Sequence, residues 1–413
     1  MMPQTGYVAV NYIVHNYDAY KCVYYILYFR EAFQNEHLII ALEPEVASLY
    51  CRHFPQSLTI YGTRSFTDVL ENGSKYLVLD IGGGTVDVTA HEIQSDGTLK
   101  ELYQASGGSW GGTTVDNEFK KLLITIFGSE VIAETTTDYP SEMKKNNASI
   151  EETIVTTPIG DKIKFLRDKL IINSEKFESL FDNAVNKLVI HLRKLLHLDQ
   201  LMDITTILLV GGFSDSIIIK NSILSNFPNI RIINPEDCSL AVLKGAVLYG
   251  HNPKIIKSRI CKSSYGIGIH VKFEEGVHPE ERKRTICGSD ICDDVFDIHL
   301  NLGERVEINT PRLEKVYHAQ NNPAKIAYLD VYASTSESPM FVTDESCNKI
   351  GYVILELSGD KETNESTEGT ETNIEGTETK IYVSFHYIGS ELGAIVREAS
   401  TDKILRAKFD FMG

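Results

Sequence analysis

The residue types best suited to chemistry occur together in the sequence Asp-Ile-Gly-Gly-Gly-Thr-Val-Asp, at positions 80–87. Asp80 ends an apolar run that is typical of a buried strand, and Asp87 lies at the start of the next strand candidate. Glycines between them let backbone N–H groups approach a phosphate oxygen, because no Cβ stands in the way. We therefore expect a phosphate-binding hairpin at Gly82, Gly83, Gly84 and Thr85.

Two side chains of this stretch could act on a bound phosphate. Asp80 could hold Mg²⁺ through water, because Mg²⁺ keeps much of its hydration shell. The Thr85 hydroxyl could donate to a phosphate oxygen. The pattern is neither a Rossmann motif, since a strand follows instead of a helix, nor a Walker P-loop, since Gly-Lys-Ser/Thr is missing. A glycine-rich hairpin with a bulge is the alternative, and the flanking acids count against it.

A second glycine segment follows the apolar strand candidate 206–210. Its sequence, Gly-Gly-Phe-Ser, runs into a predicted helix that Ser214 would cap. The glycine pair allows close backbone approach, and a helix N-terminus favours an anion. We expect further ligand contacts at Gly211, Gly212, Phe213 and Ser214. Many strand-to-helix turns also need glycine, so an ordinary turn is the alternative.

Glu43 is the third candidate, since it follows a short apolar run and precedes a helix that begins at Pro44. Its carboxylate could orient a water molecule or a hydrated metal ion. Together with Asp80 and Thr85, Glu43 completes the set of candidate catalytic residues. The alternative is an exposed acid at a helix start, where the helix dipole favours negative charge.

The elements that must position these residues alternate between strand and helix up to about residue 250. Such alternation predicts an α/β domain whose sheet is covered on both faces. The helices are expected at 44–53, at 114–127, after a Ser174 cap, after the Ser214 cap, and at 239–249, where Gly250 ends the last. The stretch 135–157 is polar and weakly periodic, which suggests a small excursion.

After about residue 257 the pattern changes to alternating strands with Gly, Pro and Asn turns, which predicts a mostly antiparallel β domain. The pattern therefore separates an α/β region that ends near residue 256 from the β domain, 257–413. Residues 360–379 form a tract rich in Thr, Glu and Gly that cannot bury apolar surface, so a flexible loop is expected there.

The composition excludes several kinds of protein. Acidic residues outnumber basic ones by 57 to 40, and the net charge of −17 argues against nucleic-acid binding. Seven scattered cysteines with no Cys-x-x-Cys pair indicate reduced thiols. Polar residues interrupt the apolar segment 7–29, so no run approaches the ~20 residues that span a bilayer. We therefore expect a cytoplasmic protein with no membrane span.

The order of five motifs resembles that of the actin-like ATPase superfamily, and within it the 70-kDa heat-shock proteins. The motifs are Glu-Pro at 43–44, the stretch at 80–87, Ser-Gly-Gly-Ser-Trp-Gly-Gly at 106–112, Val-Gly-Gly-Phe-Ser-Asp-Ser at 210–216, and Lys-Gly-Ala-Val-Leu-Tyr-Gly at 244–250. Residues 41–51, 97–108 and 287–296 are similar to the divergent 12A/12B-type branch. The resemblance runs from about Arg30 to the C-terminus, so it covers both domains.

The resemblance implies actin-like (ribonuclease H-like) nucleotide-binding lobes that take ATP or ADP with Mg²⁺. It divides the α/β region into 1–110, a remnant of the first lobe with the phosphate hairpin, and 111–256, the second lobe. It makes 80–85 the second phosphate hairpin, with Asp80 beside the hydrated metal and Asp87 in the same acidic cluster. It places 211–214 on the adenosine side of the cleft and 107–112 near the ribose or phosphates. Glu43 would help place the attacking water.

The resemblance also implies that α-helices connect the two lobes. Glu43 would lie in the first connection. The helix with Gly245, Ala246 and Gly250 would be the second, where small residues let helices cross closely. Thr113 stands where chaperone members carry an acid, which removes one charge from the cleft.

Other family features have no counterpart in the sequence. Family members begin with a phosphate loop of the Asp-x-Gly-Thr type and a lysine that reaches the transferred phosphate, whereas residues 1–42 contain one glycine, Gly6, and Lys21 in no matching context. We therefore expect an N-terminally truncated, incomplete first lobe. Hydrolysis should be weak or absent, since phosphoryl transfer depends on positioning and charge stabilisation. No helical lid follows the β domain, so peptide capture of the lidded kind is in doubt.

Three functions stay open. The first is a chaperone-related, ATP-binding conformational switch that hydrolyses ATP slowly. The second is a nucleotide-binding pseudo-ATPase or interaction module that engages protein clients or signalling partners through the β domain. The third is a non-functional fragment that does not fold stably.

Overall fold

A computed structural model describes residues 39–62, 70–129, 132, 162–166, 169–286, 288–320, 325–357 and 378–409. The excursion predicted at 135–157, almost all of 1–42 and nearly the whole loop predicted at 360–379 lie outside these ranges. The chain divides into two compact units. One contains the described residues up to Ile93 and Ala105–His251, and the other contains Gln94–Gln104 and the described residues from Asn252 onwards.

Helices and strands alternate in the first unit. Its helices are α1 (Glu43–His53), α2 (Gly112–Phe127), α3 (Ser174–Ser179), α4 (Asp182–Leu196), α5 (Ile217–Asn226) and α6 (Ala241–His251). Its strands are β1 (Leu58–Tyr61), β2 (Lys75–Ile81), β3 (Val86–Ile93), the end of β4 (Leu99–Gly108), β5 (Ile163–Leu166), β6 (Lys169–Ile172), β7 (Thr206–Val210) and β8 (Arg231–Pro235). No described helix is both long and apolar enough to cross a membrane.

A mixed sheet forms the centre of this unit, in the strand order β1-β8-β7-β2-β3-β4. Strands β2, β7 and β8 run parallel, whereas β1 is antiparallel to β8 and β3 to β2. Every residue of β7 is buried, as expected for a strand covered on both faces. Asp80 pairs with Val210, so the carboxyl ends of β2 and β7 lie side by side. Both predicted glycine segments therefore leave the sheet at the same edge.

Helices α1 and α6 cross in direct contact. A Cβ added at Gly245 of α6 would lie 1.7 Å from the carbonyl oxygen of Val46 in α1. Both helices bury this face, with Val46 and Ala47 in α1 and Gly245 and Ala246 in α6. The small residues of α6 thus allow the two backbones to meet.

The second unit is a two-layer β structure. Its strands are β9 (Ile256–Ile260), β10 (Ser264–Lys272), β11 (Lys283–Ile286), β12 (Ser289–Leu300), β13 (Arg305–Glu307), β14 (Lys315–Gln320), β15 (Ile326–Ser334), β16 (Cys347–Glu356), β17 (Glu378–Ile388), β18 (Glu391–Glu398) and β19 (Ile404–Phe409). One sheet has the order β11-β12-β10-β15-β16 and another β14-β17-β18-β19, and all neighbours in both are antiparallel. The start of β4 pairs with β9.

The core of this unit contains side chains from both sheets. Tyr265 and Leu300 of the five-stranded sheet and Phe385 and Leu392 of the four-stranded sheet are at most 2% exposed and belong to one apolar cluster. The predicted mostly antiparallel β domain is therefore confirmed, as is the α/β class of the preceding region.

A polar network joins β12 to β14 at the edge of that core. The Lys315 ammonium lies 2.5 Å from Asp297 Oδ1, and the Tyr317 hydroxyl donates to the other oxygen of Asp297. His299 Nε2 lies 2.8 Å from the Tyr317 oxygen, and the His299 ring stacks on Phe385 with centroids 4.5 Å apart. Burial, aided by the nearby Lys315 charge and opposed by Asp297, lowers the pKa of His299 to about 4.

The predicted helix caps at Ser174 and Ser214 are wrong. Asn173 caps α3, because its side-chain oxygen accepts from the Lys176 amide at 2.8 Å. Ser216, two residues beyond Ser214, caps α5 and accepts weakly from Ile219 at 3.5 Å. Several short polar residues precede each helix, and composition does not distinguish which of them adopts the extended cap conformation.

Two further helix boundaries differ from prediction. The helix expected to continue from Ser174 is interrupted at 180–181, which separates α3 from α4. Gly250 does not end α6, which continues to His251. A glycine near a helix end is tolerated within the last turn at a cost of about 1 kcal/mol relative to Ala, so its presence alone does not fix the end.

The predicted segments 1–110, 111–256 and 257–413 do not coincide with the two units. β2 and β7 come from different predicted segments and are neighbours in one sheet. Residues 94–104 group with the β-rich unit, although they precede residue 110. The change to antiparallel strands predicted near 257 lies close to Asn252, where the second unit resumes.

Candidate functional site

β2, β3 and the turn between them contain the first candidate segment. Asp80 pairs with Asp87 across the ladder, and the Gly82 amide donates to the Thr85 carbonyl at 2.9 Å. The turn is therefore residues 82–85, with Asp80 5% exposed at its base. The structure brings the two carboxylates and the three glycines together, and their assignment as metal and phosphate contacts stays a prediction.

Three successive amides at the start of α2 hold this turn. The amides of Gly111, Gly112 and Thr113 donate to the carbonyls of Gly84, Gly82 and Gly83 at 3.2, 3.2 and 2.7 Å. These amides would otherwise be unsatisfied at the helix N-terminus. All three glycine carbonyls are thereby turned towards α2.

Two of the three glycine amides, by contrast, are available. No described residue accepts a hydrogen bond from the amides of Gly83 or Gly84, and Gly83 is exposed. A turn whose carbonyls are engaged and whose consecutive amides are not can present those amides to an anion.

The second glycine segment lies directly beside the first. A Cβ added at Gly211 would lie 2.3 Å from Asp80 Oδ1, and Gly211 has a φ of +91°, which only glycine adopts without strain. The Phe213 amide donates to the Ile81 carbonyl at 2.9 Å. Gly211 therefore makes room for the Asp80 carboxylate, and the turn 211–213 is attached to the end of β2.

Thr85 is engaged within the protein. Its hydroxyl donates to Asp87 Oδ2 at 2.9 Å. A phosphate oxygen would have to compete with this carboxylate for the hydroxyl proton. The predicted contact between Thr85 and a phosphate therefore requires a change of partner.

Phe213 and Ser214 differ in what they contact. The Phe213 ring stacks on Phe181, with centroids 5.9 Å apart, and lies 3.5 Å from the position of a Cβ at Gly112. Ser214 is fully buried, and its hydroxyl donates to the Gly211 carbonyl at 2.7 Å. Ser214 thus closes the Gly211 turn. Gly212 is exposed, and a Cβ added there would meet nothing within 4 Å.

Glu43 lies on a different element from the other candidates. It is the first residue of α1 and is half-buried. Helix α1 packs against β2, β3 and β7, the strands from which the two glycine segments arise. Its role in orienting water stays a prediction.

The donor set fits a hydrated magnesium ion better than a site made by protein alone. Within the described part of the chain, no group of three or more His, Cys, Asp or Glu side chains is arranged to hold a metal. Mg²⁺ is usually held by one or two carboxylates together with waters and substrate phosphates. Asp80 and Asp87, paired across the hairpin, could supply that pair of carboxylates.

Sequence reasoning missed two neighbours of the site. Phe181 falls within the helix expected after Ser174, and nothing in the sequence indicates that it stacks on Phe213. His191 was not singled out at all, although it contacts Ser106 and Trp110 in the segment before α2. Both contacts join residues far apart in sequence, so no local pattern could reveal them.

A buried acid followed by a glycine hairpin lies beside a strand that ends in Gly-Gly in the same mixed sheet, which is the arrangement expected from the motifs that resemble the actin-like ATPase class of fold. The Hsp70 protein family model matches residues 61–322, which is more than half of the chain. The chain therefore belongs to the Hsp70 family.

Similar proteins support this assignment. The chain is 28% identical over 456 aligned positions to human heat shock 70 kDa protein 12A, covering 92% of this chain and 66% of that protein. It is 26% identical to human heat shock 70 kDa protein 12B, with 91% and 66% covered. Chaperone protein dnaK of Cyanidium caldarium is 29% identical over 57% of this chain and 42% of its own length. The chain thus spans just under two thirds of the length of the 12A and 12B relatives.

Solved structures show a more distant likeness. An archaeal actin homologue in complex with ADP is 16% identical, with a TM-score of 0.35, over 52% of this chain and 57% of its own. A non-polymerisable ParM mutant is 13% identical, with a TM-score of 0.35, over 53% and 56%. These values are too low to bear on the site.

Proposed function

We propose that the chain binds ATP or ADP with Mg²⁺ at the glycine hairpin and the Gly211 turn, and acts as a chaperone-related conformational switch with weak or absent hydrolysis. The observation that supports this proposal most is the hydrogen bonding of the hairpin's backbone groups. Its carbonyls are engaged by α2, while the amides of Gly83 and Gly84 have no described acceptor. Such amides suit the oxygens of a nucleotide phosphate.

Charge at the site fits a magnesium-bound phosphate. Mg²⁺ would supply positive charge that neutralises the phosphates and is held by carboxylate oxygens. Asp80 and Asp87 would hold the hydrated ion, and Gly211 leaves space for Asp80. The protein's net charge of −17 makes this arrangement important, because phosphate without a cation would be repelled.

Weak hydrolysis follows from what surrounds the hairpin. The Thr85 hydroxyl already donates to Asp87, so it is a poor donor to a transferring phosphate. Thr113 supplies an amide to the Gly83 carbonyl but no charge. Phosphoryl transfer needs several such groups held in place at once.

The test is calorimetric titration of the chain with ATP, ADP and AMP, each with and without Mg²⁺, beside a thermal melt. If the hairpin binds the outer phosphates, ATP and ADP should bind far more tightly than AMP, and only ATP and ADP should depend on Mg²⁺. A cooperative melt with no binding of any of the three nucleotides would reject the proposal. Equal affinity for ADP and AMP would place binding away from the glycine hairpin.

A second candidate function is a protein-interaction module independent of nucleotide. The outer face of β15 and β16 exposes Tyr328, Tyr352 and Ile354, by 66%, 58% and 41%. Exposed aromatic side chains on adjacent strands are typical of contact surfaces. This candidate predicts that Tyr328→Ser weakens binding of a protein partner equally in the presence and absence of Mg-ADP.

A further inference from the structure

The segment between β4 and α2 has an anchor on another helix. Ser106, near the end of β4, has its hydroxyl oxygen 3.0 Å from Nε2 of His191 in the middle of α4. The hydrogen bond joins residues 85 positions apart. The segment 106–111 leads directly into the amides that hold the glycine hairpin.

Trp110 gives His191 a second contact on the same segment. The Trp110 and His191 rings meet edge to face, with centroids 5.0 Å apart and planes at 68°. The indole also packs on the backbone of Gly108, where an added Cβ would lie 2.3 Å from Nε1. The Trp110 amide also donates to the Gly108 carbonyl at 2.9 Å. Trp110 is therefore held by contacts with both Gly108 and His191.

The protonation state of His191 suits both contacts. Burial, with a smaller contribution from Lys194, lowers its pKa from the ordinary value of 6.5. The ring is therefore neutral at pH 7, and a neutral imidazole can either donate to or accept from the Ser106 hydroxyl through Nε2.

We infer that His191 is a positioning residue for the glycine hairpin and acts through the Trp110 segment. The chain of contacts runs from His191 to Ser106 and Trp110, then to the amides of 111–113, and then to the hairpin carbonyls. His191 touches neither the hairpin nor the Asp80 carboxylate in this chain of contacts. The predicted effect of His191 on nucleotide affinity rests on the proposed function. Its predicted effect on the position of the glycine hairpin does not.

Three variants separate positioning from simple packing. His191→Leu removes the hydrogen bond but keeps an apolar side chain, and His191→Gln keeps an amide group that can bond to Ser106. His197→Gln is the matched control, because His197 is an exposed histidine at the end of the same helix. Trp110 is the only tryptophan in the chain, so its emission reports this segment alone.

Hydrogen exchange without nucleotide is the first measurement. In His191→Leu, exchange of the amides of 111–113 and of the Gly82 amide should rise about three- to tenfold, the equivalent of one lost hydrogen bond. Exchange in β7 should stay constant, and Trp110 emission should shift. His191→Gln should restore most of the protection, and His197→Gln should match the wild type. Unchanged exchange at 111–113 and at the Gly82 amide, or an equal rise in β7, would overturn the inference.

Titration with Mg-ADP is the second measurement. Affinity should fall about three- to tenfold in His191→Leu and recover in His191→Gln. Wild-type affinity in His191→Leu would overturn the inference. If the wild type itself fails to bind, the proposed function fails, and the exchange data still decide whether His191 positions the hairpin.

Discussion

Gly245 and Val46 meet backbone to backbone: a Cβ at Gly245 would lie 1.7 Å from the Val46 carbonyl oxygen and 2.4 Å from its carbonyl carbon. The contact joins α6 to α1, the helix that begins with Glu43. Two helices in such contact cannot take a methyl group between them unless they move apart, so Gly245 sets their separation.

Gly245→Ala should therefore destabilise the protein, by about 1–3 kcal/mol or more from overpacking. The sign of the change in unfolding free energy tests the close contact, because Gly→Ala inside an unconstrained helix stabilises the protein by about 1 kcal/mol. Urea unfolding measures the change. Gly212→Ala is the control, since its added Cβ meets nothing within 4 Å. A neutral or stabilising result at Gly245 would show that the helices separate easily.

Asp80→Asn should weaken Mg-ADP binding by roughly tenfold or more, because it removes the buried charge proposed to hold the hydrated metal. Calorimetry with and without Mg²⁺ measures this effect, and the variant should lose most of its dependence on Mg²⁺. Asp116→Asn, an exposed carboxylate on α2, provides the control. If Asp80→Asn binds as tightly as the wild type, Asp80 is not part of the metal site.

Glu43→Ala should slow ATP turnover more than it weakens binding, since a water-orienting carboxylate acts on the reaction and not on affinity. A loss of at least about tenfold in single-turnover rate is expected, with a nearly constant dissociation constant. Glu71→Ala, at an exposed position, is the matched control. The reverse pattern, weaker binding with the same rate, would reject the assigned role.

His299 should make the β unit less stable in acid. Its pKa is about 4 in the folded protein and about 6.5 when unfolded, so between these values the unfolded chain binds the additional proton. The free energy of unfolding is therefore highest above about pH 6.5. It falls as the pH drops to 4, by about 3 kcal/mol at most.

Urea unfolding at several pH values tests this dependence. His299→Gln keeps a polar partner for Tyr317 and removes the titrating group, so its stability should vary less with pH in this range. His318→Gln, at an exposed position in β14, is the control. Parallel curves for wild type and His299→Gln would show that His299 does not titrate in this way.

The sequence predicted the elements whose side chains carry a clear pattern. β7 was expected at 206–210 and is observed there, because five consecutive buried residues leave few alternatives. The hairpin at 82–85 follows from glycines between two strands. These features depend on neighbours in sequence, and local patterns record them well.

Other features depend on contacts that leave no side-chain pattern. The bonds from 111–113 to 82–84 join backbone groups, which every residue has, so no residue type marks them. β11 and the start of β12 were not predicted. Charged residues occupy both strands, among them Lys283 and Asp290, which lie 3.0 Å apart across the pair, so the alternation of apolar and polar residues that is typical of a half-buried strand is hidden. The Ser106–His191 hydrogen bond forms only in the folded chain, because its two residues are 85 positions apart in sequence.

The close contacts at Gly245 and Gly108 have different consequences for how the chain can evolve. At Gly245 the obstacle is a main-chain oxygen, which every amino acid at position 46 presents equally, so no substitution there can compensate. At Gly108 the obstacle is the Trp110 indole, which a smaller residue would remove. Among related chains, positions 108 and 110 should therefore vary together, whereas position 245 should remain glycine whatever residue occupies position 46.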